Sequence, residues 1–414
     1  MASLFLAKDG IARWVPPPDP DRPPLPYLPG FVVDITEHVP PAPYYSSMEG
    51  WRISHGSLRS ITQTKLVVTY PPRDSDTTTT PPFNPKTAQL TITNHIAVRD
   101  GRGAQLVLCS VVPRGHGLKC EPFTAVAKIF DPLYYCFANK HSDIFVGPVD
   151  VVDAADRSYS QEAAAYEHLQ QVGETGSFAP EYYGAWTFSL PISHEGVVRS
   201  RAVRLILIEY LDGACMRELC SDPRSLSYDE GYRLSIFAKL LDGCVRYSHK
   251  RLSWRGECLI LPKHVILIPG PVWTSASQAT PRVVLIDYLH AVVDDRSARR
   301  HRRPATKLPA NPIDWFWTRH RFLDFDGWRP QHWDANDRPY QEWLMKEFGG
   351  DNASKYLPLR EDFKLAPPQY FVCSPDLDYR PLSSKYPRPP RFVDYVPPRE
   401  LAKEDTEGAE AMNG

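Results

Sequence analysis

Three neighbouring stretches are dominated by apolar and β-branched residues: Ala88–Val98 (AQLTITNHIAV), Gln105–Val112 (QLVLCSVV) and Phe123–Phe130 (FTAVAKIF). That pattern predicts strands, and the Asp100-Gly-Arg-Gly turn between the first two makes the set a small antiparallel sheet. The pattern then changes. Tyr159–Val172 is rich in Ala, Glu, Gln and Leu, which predicts a helix with Ser160 as its N-cap. Tyr182–Phe188 and Val203–Tyr210 (VRLILIEY) return to strand. Asp229–His249 carries Leu234, Phe237, Leu240, Leu241 and Val245 at helical spacing and reads as a long core helix. Two short apolar strands follow, Val265–Ile268 and Val283–Ile286.

Composition supports a folded body. Of 414 residues, 42% are hydrophobic, including 10 Trp, 21 Tyr and 17 Phe, enough apolar material for a large core. The 42 prolines crowd into Pro16–Pro43, Pro71–Pro85 and Pro367–Pro398. Proline fixes φ and removes a donor, so these stretches read as extended arms. The divisions expected are a proline-rich arm over 1–87, a sheet-bearing half over 88–211, a helical half over 212–350, and a proline-rich, acidic tail over 351–414. A net charge of −1 offers no global attraction to nucleic acid or anionic membrane. No stretch reaches the roughly 20 apolar residues of a membrane span. The eight cysteines form no CxxC pair and no zinc-type cluster, which fits reduced thiols in a cytoplasmic or nuclear compartment.

The order of strands, helix, strands and helical half resembles the protein-kinase-like superfamily, in particular fungal kinase-like proteins, and the motifs carry the resemblance further. Ala125-Val126-Ala127-Lys128 fits the V-A-I-K of the third strand, which makes Lys128 the phosphate-reaching lysine. Glu162 shares a helix face with Tyr166 and Leu169 and is the carboxylate expected to hold it, with Glu167 as the alternative. Glu209-Tyr210-Leu211 resembles the hinge, where backbone groups of Glu209 and Leu211 would meet an adenine ring. Val283–Tyr288 resembles the D-F-G segment, so Asp287 is the metal candidate, although Leu289 stands where glycine is usual. Gly101 and Gly103 offer only a G-x-G of the glycine-rich loop. The resemblance implies an α+β, two-lobed kinase-like fold with proline-rich flanks, and ATP with Mg²⁺ as ligands, bound weakly or not at all if the site has decayed.

The catalytic loop departs from the family pattern H-R-D-x-x-x-x-N. Aligning Pro262-Lys263-His264-Val265 with P-R-N-V puts His264 in the Asn position and Leu259 in the Asp position, and leucine does no acid–base work. Counting from His249 instead brings Glu257 to the Asp position at the cost of a two-residue insertion. Both registers stay open at this stage. No A-P-E segment follows Asp287; a basic run, Arg296–Arg303, stands in its place. The leading expectation is a pseudokinase-like scaffold with protein partners. The alternatives are an active atypical kinase using Glu257 as base and Asp287 as metal ligand, or an adaptor read through Pro17–Pro24.

Overall fold

The computed structural model describes residues 4–6, 12–44, 53–74, 84–114, 121–138, 147–254, 261–271, 280–296, 306–318, 322, 324–334, 337–360 and 363–365. The chain opens with a short antiparallel pair, β1 (Leu4–Leu6) and β2 (Ala12–Trp14). A third strand, β3 (Val32–Glu37), and two short helices, α1 (His55–Leu58) and α2 (Gln63–Thr69), precede the first predicted strand. Then come β4 (Thr87–Ala97), β5 (Gln105–Arg114) and β6 (Phe123–Phe130), helix α3 (Val151–Gln171), and a long hairpin of β7 (Tyr182–His194) and β8 (Val197–Glu209).

These strands do not form an open sheet. Six of them close into a barrel in the order β3-β4-β5-β6-β8-β7. β3 closes it, pairing with β4 from Val32 opposite Thr91 to Thr36 opposite Thr87, and with β7 at Thr36–Thr187 and Glu37–Trp186. The expected small antiparallel sheet is corrected in this respect: a strand drawn from the proline-rich arm satisfies both edges that an open sheet would expose.

Period-2 alternation sorts the barrel residues. Ala125, Ala127 and Ile129 of β6, with Val203, Leu205 and Leu207 of β8, fill the barrel core. Val126 and Phe130 of β6, with Ile206 and Ile208 of β8, face outward into a second core shared with α3.

Helix α3 is eight residues longer at its start than predicted. Asp150, not Ser160, is its N-cap, accepting from the N–H groups of Val152 (3.1 Å) and Asp153 (3.0 Å). Val151 and Val152 disguise the first turn, because β-branched residues have low helix propensity; here both are buried in the barrel core, and packing decides. Ser160 is buried in mid-helix, its hydroxyl donating to the Arg157 carbonyl.

Beyond β8 lie β9 (Ala214–Cys215), α4 (Met216–Ser221), α5 (Glu230–His249, capped by Asp229), β10 (Leu252–Trp254), β11 (Val265–Ile268), β12 (Arg282–Leu285), β13 (Ala291–Val293), α6 (Pro312–Phe316) and α7 (Arg338–Phe348). A three-stranded sheet, β12-β11-β9, and the β10–β13 pair lie among these helices. Trp328 and Trp333 are buried in the second core, with Trp315, Trp317 and Trp343 packed at its margin. No helix among the described residues is long and apolar enough to cross a membrane.

Candidate functional site

Alternation along β6 decides where Lys128 points. With Ala127 and Ile129 inside the barrel, Lys128 leaves on the outer face, beside Val126 and Phe130. On α3, Tyr166 and Leu169 lie in the second core, and Glu162, four and seven residues earlier, is carried to the same side. The two meet. Lys128 Nζ donates to Glu162 Oε1 at 2.8 Å and stands 2.6 Å from Oε2, the latter a close ionic contact rather than a well-formed hydrogen bond. The Glu162 side chain is 1% exposed, so an unpaired charge there would be costly.

Asp287 arrives from the other side. β11 and β12 pair with Val265 opposite Leu285, and the Ile286 N–H donates to the His264 carbonyl at 2.8 Å, which sets His264 and Asp287 next to each other. Asp287 has a φ of 69°, a left-handed conformation sparsely populated by non-glycine residues and common where function overrides local preference. Its Oδ1 lies 3.2 Å from Lys128 Nζ and its Oδ2 3.3 Å from His264 Nε2.

The electrostatics follow the geometry. Burial alone would lower the Lys128 pKa, but the Glu162 and Asp287 carboxylates reverse that and hold it above its usual value. Lys128 in turn draws Asp287 well below the ordinary carboxylate range, against burial and with help from His264. Burial pushes Glu162 up, and Lys128 opposes the push. At neutral pH the lysine is an ammonium held between the carboxyl groups of Glu162 and Asp287, the three side chains coming from three separate parts of the chain.

The glycine hairpin leans on the barrel. Gly101 and Gly103 adopt φ of 72° and 102°, as a turn of this shape requires. The Gly101 N–H donates to the Tyr134 carbonyl at 3.0 Å, so that group is engaged within the chain. Gln105 braces the hairpin through Arg99 N–H (2.8 Å) and the Arg99 (3.0 Å) and Gly103 (2.9 Å) carbonyls. Arg22, from the N-terminal arm, pairs with Asp100 and donates through Nε to the Leu133 carbonyl at 3.1 Å. Arg102, exposed at the tip, lies within the field of Asp287.

At the hinge-like segment, the Glu209 N–H donates to the Glu181 carbonyl at 2.9 Å, so that group is engaged within the chain. Its carboxylate grips Arg282 at 2.7 and 2.9 Å. Leu211 is half-buried just past β8, and a Cβ at Gly213 would stand 2.3 Å from the Leu267 carbonyl oxygen, so the chain here runs tight against β11. Glu167, the alternative to Glu162, pairs elsewhere, with Arg296 at 2.9 Å. Glu257 and Leu259 lie outside the described residues, as does most of the basic run.

A magnesium ion suits these side chains poorly. Magnesium prefers oxygen ligands in octahedral array, usually one or two carboxylates with water and phosphate. Here Asp287 has one oxygen against an ammonium and the other against an imidazole, while the Glu162 carboxylate is buried on Lys128. Among the described residues no three His, Cys, Asp or Glu side chains gather as a metal site.

Sequence reasoning missed a second buried ion pair. Asp131, fully buried, accepts from Arg201 Nη1 at 2.7 Å and from the Tyr27 hydroxyl at 2.5 Å. The available signal was parity: Arg201 shares its side of β8 with Val203, Leu205 and Leu207, all inward.

No family model matches the chain, and no curated protein matches it. Among solved structures it is similar to two crystal structures of the PknI kinase domain from Mycobacterium tuberculosis, one of them a mutant. Each is 18% identical, with a TM-score of 0.27, over 49% of this chain and 60% of the other. The match spans less than two thirds of those chains, and a superposition at that score adds nothing to the argument from side chains.

Proposed function

We propose that the chain is a degenerate kinase-like protein that receives a nucleoside triphosphate beside Lys128 and acts as a scaffold, with little or no phosphoryl transfer. The observation that carries this is the clamp: an ammonium held at 2.8 Å by Glu162 and 3.2 Å from Asp287 is fixed in place and aimed, as a lysine that must meet phosphate oxygens has to be. ATP bound there would bring its phosphates to Lys128 and its adenine toward the Glu209–Leu211 segment. The scaffold half of the reading rests on His264, which occupies the side of Asp287 where a kinase-like site places a carboxamide. The adaptor alternative is weakened by the docking of its segment, since the Tyr134 hydroxyl donates to the Pro24 carbonyl at 2.8 Å and lies 3.2 Å from that of Pro23.

The test is thermal unfolding with and without ATP, in magnesium and in its absence, on the wild type and on Lys128→Met, each compared with its own ligand-free state. A ligand at 100 times its Kd stabilises by about 2.7 kcal/mol. Stabilisation of the wild type that is lost in the variant is expected. No stabilisation under any of these conditions overturns the nucleotide reading.

A further inference from the structure

We infer that this site takes its nucleoside triphosphate without a divalent metal ion, the phosphates being held by Lys128 and Arg102. The inference rests on the nucleotide reading above and specifies the form of the ligand.

The first support is that Asp287 has both oxygens engaged. Lys128 Nζ stands 3.2 Å from Oδ1 and His264 Nε2 3.3 Å from Oδ2. A metal would have to displace an ammonium on one side or an imidazole N–H on the other. The His264 backbone is held in place, because its carbonyl accepts from Ile286 and the next residue begins β11. Magnesium does not favour nitrogen ligands, so the imidazole offers it nothing in return.

The second support is charge. In ordinary nucleotide sites the metal neutralises phosphate oxygens that would otherwise face a carboxylate. Here the carboxylates are already matched: Lys128 and Arg102 stand against Glu162 and Asp287, two cations to two anions, and Asp100 of the same hairpin is neutralised by Arg22. A polyphosphate entering beside Lys128 meets carboxylates whose charge is already balanced without any added ion. A guanidinium also presents several donors in a plane, which suits phosphate oxygens.

The third support is where Arg102 sits. Its hairpin tip is set by two left-handed glycines and braced by Gln105, and β5 holds Leu106 opposite Lys128, so the tip is tethered close to that lysine. Arg102 is exposed and lies within the field of Asp287, the carboxylate that Lys128 touches.

The experiment is titration calorimetry of ATP into the full chain, once with excess EDTA and once with Mg²⁺, on the wild type, Arg102→Ala and Arg102→Lys. We expect ATP in EDTA to bind at least as tightly as in Mg²⁺. Arg102→Ala should weaken the metal-free binding about tenfold or more, the scale of a lost charge-assisted hydrogen bond, with Arg102→Lys recovering part of it. The arginine is exposed, so the variants test binding rather than folding. Binding that appears only with Mg²⁺, or that is more than about tenfold tighter with it, overturns this inference and leaves the nucleotide reading standing. An Arg102→Ala variant that binds metal-free ATP as the wild type does overturns it too. No ATP binding in either buffer overturns both.

Discussion

Replacing Glu162 by Gln keeps the shape of the side chain and removes its charge. Lys128 would then face an amide at 2.8 Å and keep only Asp287, 3.2 Å away and one-third exposed, as a charged partner. Removing one member of a buried ion pair costs about 3–5 kcal/mol when the other is stranded. Because Asp287 remains and the Lys128 side chain is 13% exposed, the expected loss is nearer 2–3 kcal/mol. Urea unfolding followed by tryptophan fluorescence reads it as a lower midpoint at unchanged slope.

The pair also predicts non-additivity: Lys128→Met with Glu162→Gln should cost about 1–2 kcal/mol less than the two single losses together. The sign with pH can be worked out. Lys128 has a raised folded-state pKa, so its contribution is fully present below the unfolded lysine value of about 10.4 and fades only as pH rises through the raised one. The Lys128 contribution should therefore be flat across neutral pH. Glu162 is itself raised by burial, so its own contribution is present below the unfolded glutamate value and falls as pH rises, and the Glu162→Gln penalty should be no smaller in acid than at neutrality. A loss under about 0.5 kcal/mol, or strict additivity, would refute the clamp.

Two further outcomes are expected. Asp131→Asn strands the Arg201 guanidinium, whose side chain is 4% exposed, and should destabilise by about 3–5 kcal/mol in the same urea assay; a loss below about 1 kcal/mol would contradict the buried pair. Asp287 has a lowered folded-state pKa, so its stabilisation is present above the unfolded aspartate value of about 3.9 and is lost as pH falls through the folded one. The stability gap between wild type and Asp287→Asn should hold steady near neutrality and close in acid, and a gap that widens there would run against the assigned sign.

Several features were legible in the chain because they depend on near neighbours. The strands at 105–114, 123–130 and 265–268 follow from apolar and β-branched runs, and the long helix α5 from its 3.6-residue spacing and the Asp229 cap. Lys128, Glu162 and Asp287 were each picked out by local context, and the structure brings all three together. His264 was placed by the short run Pro262–Val265, and it does stand beside Asp287. The start of α3 was hidden because two valines argue against a helix locally, and only their burial under the barrel overrides that preference.

What the sequence alone determined is the set of parts: which stretches extend, which coil, and which side chains are chemically equipped. The tertiary structure decided the rest. A strand from a stretch that reads as a proline-rich arm closes the barrel, because an open edge elsewhere needs a partner and local pattern carries no record of where that edge is. Arg201 finds Asp131 across 70 residues, and Arg102 comes within the field of Asp287, which lies far along the chain. Such pairings depend on distance in space, which a period of two or of 3.6 does not encode. Coulombic attraction and desolvation act between whatever the fold sets side by side.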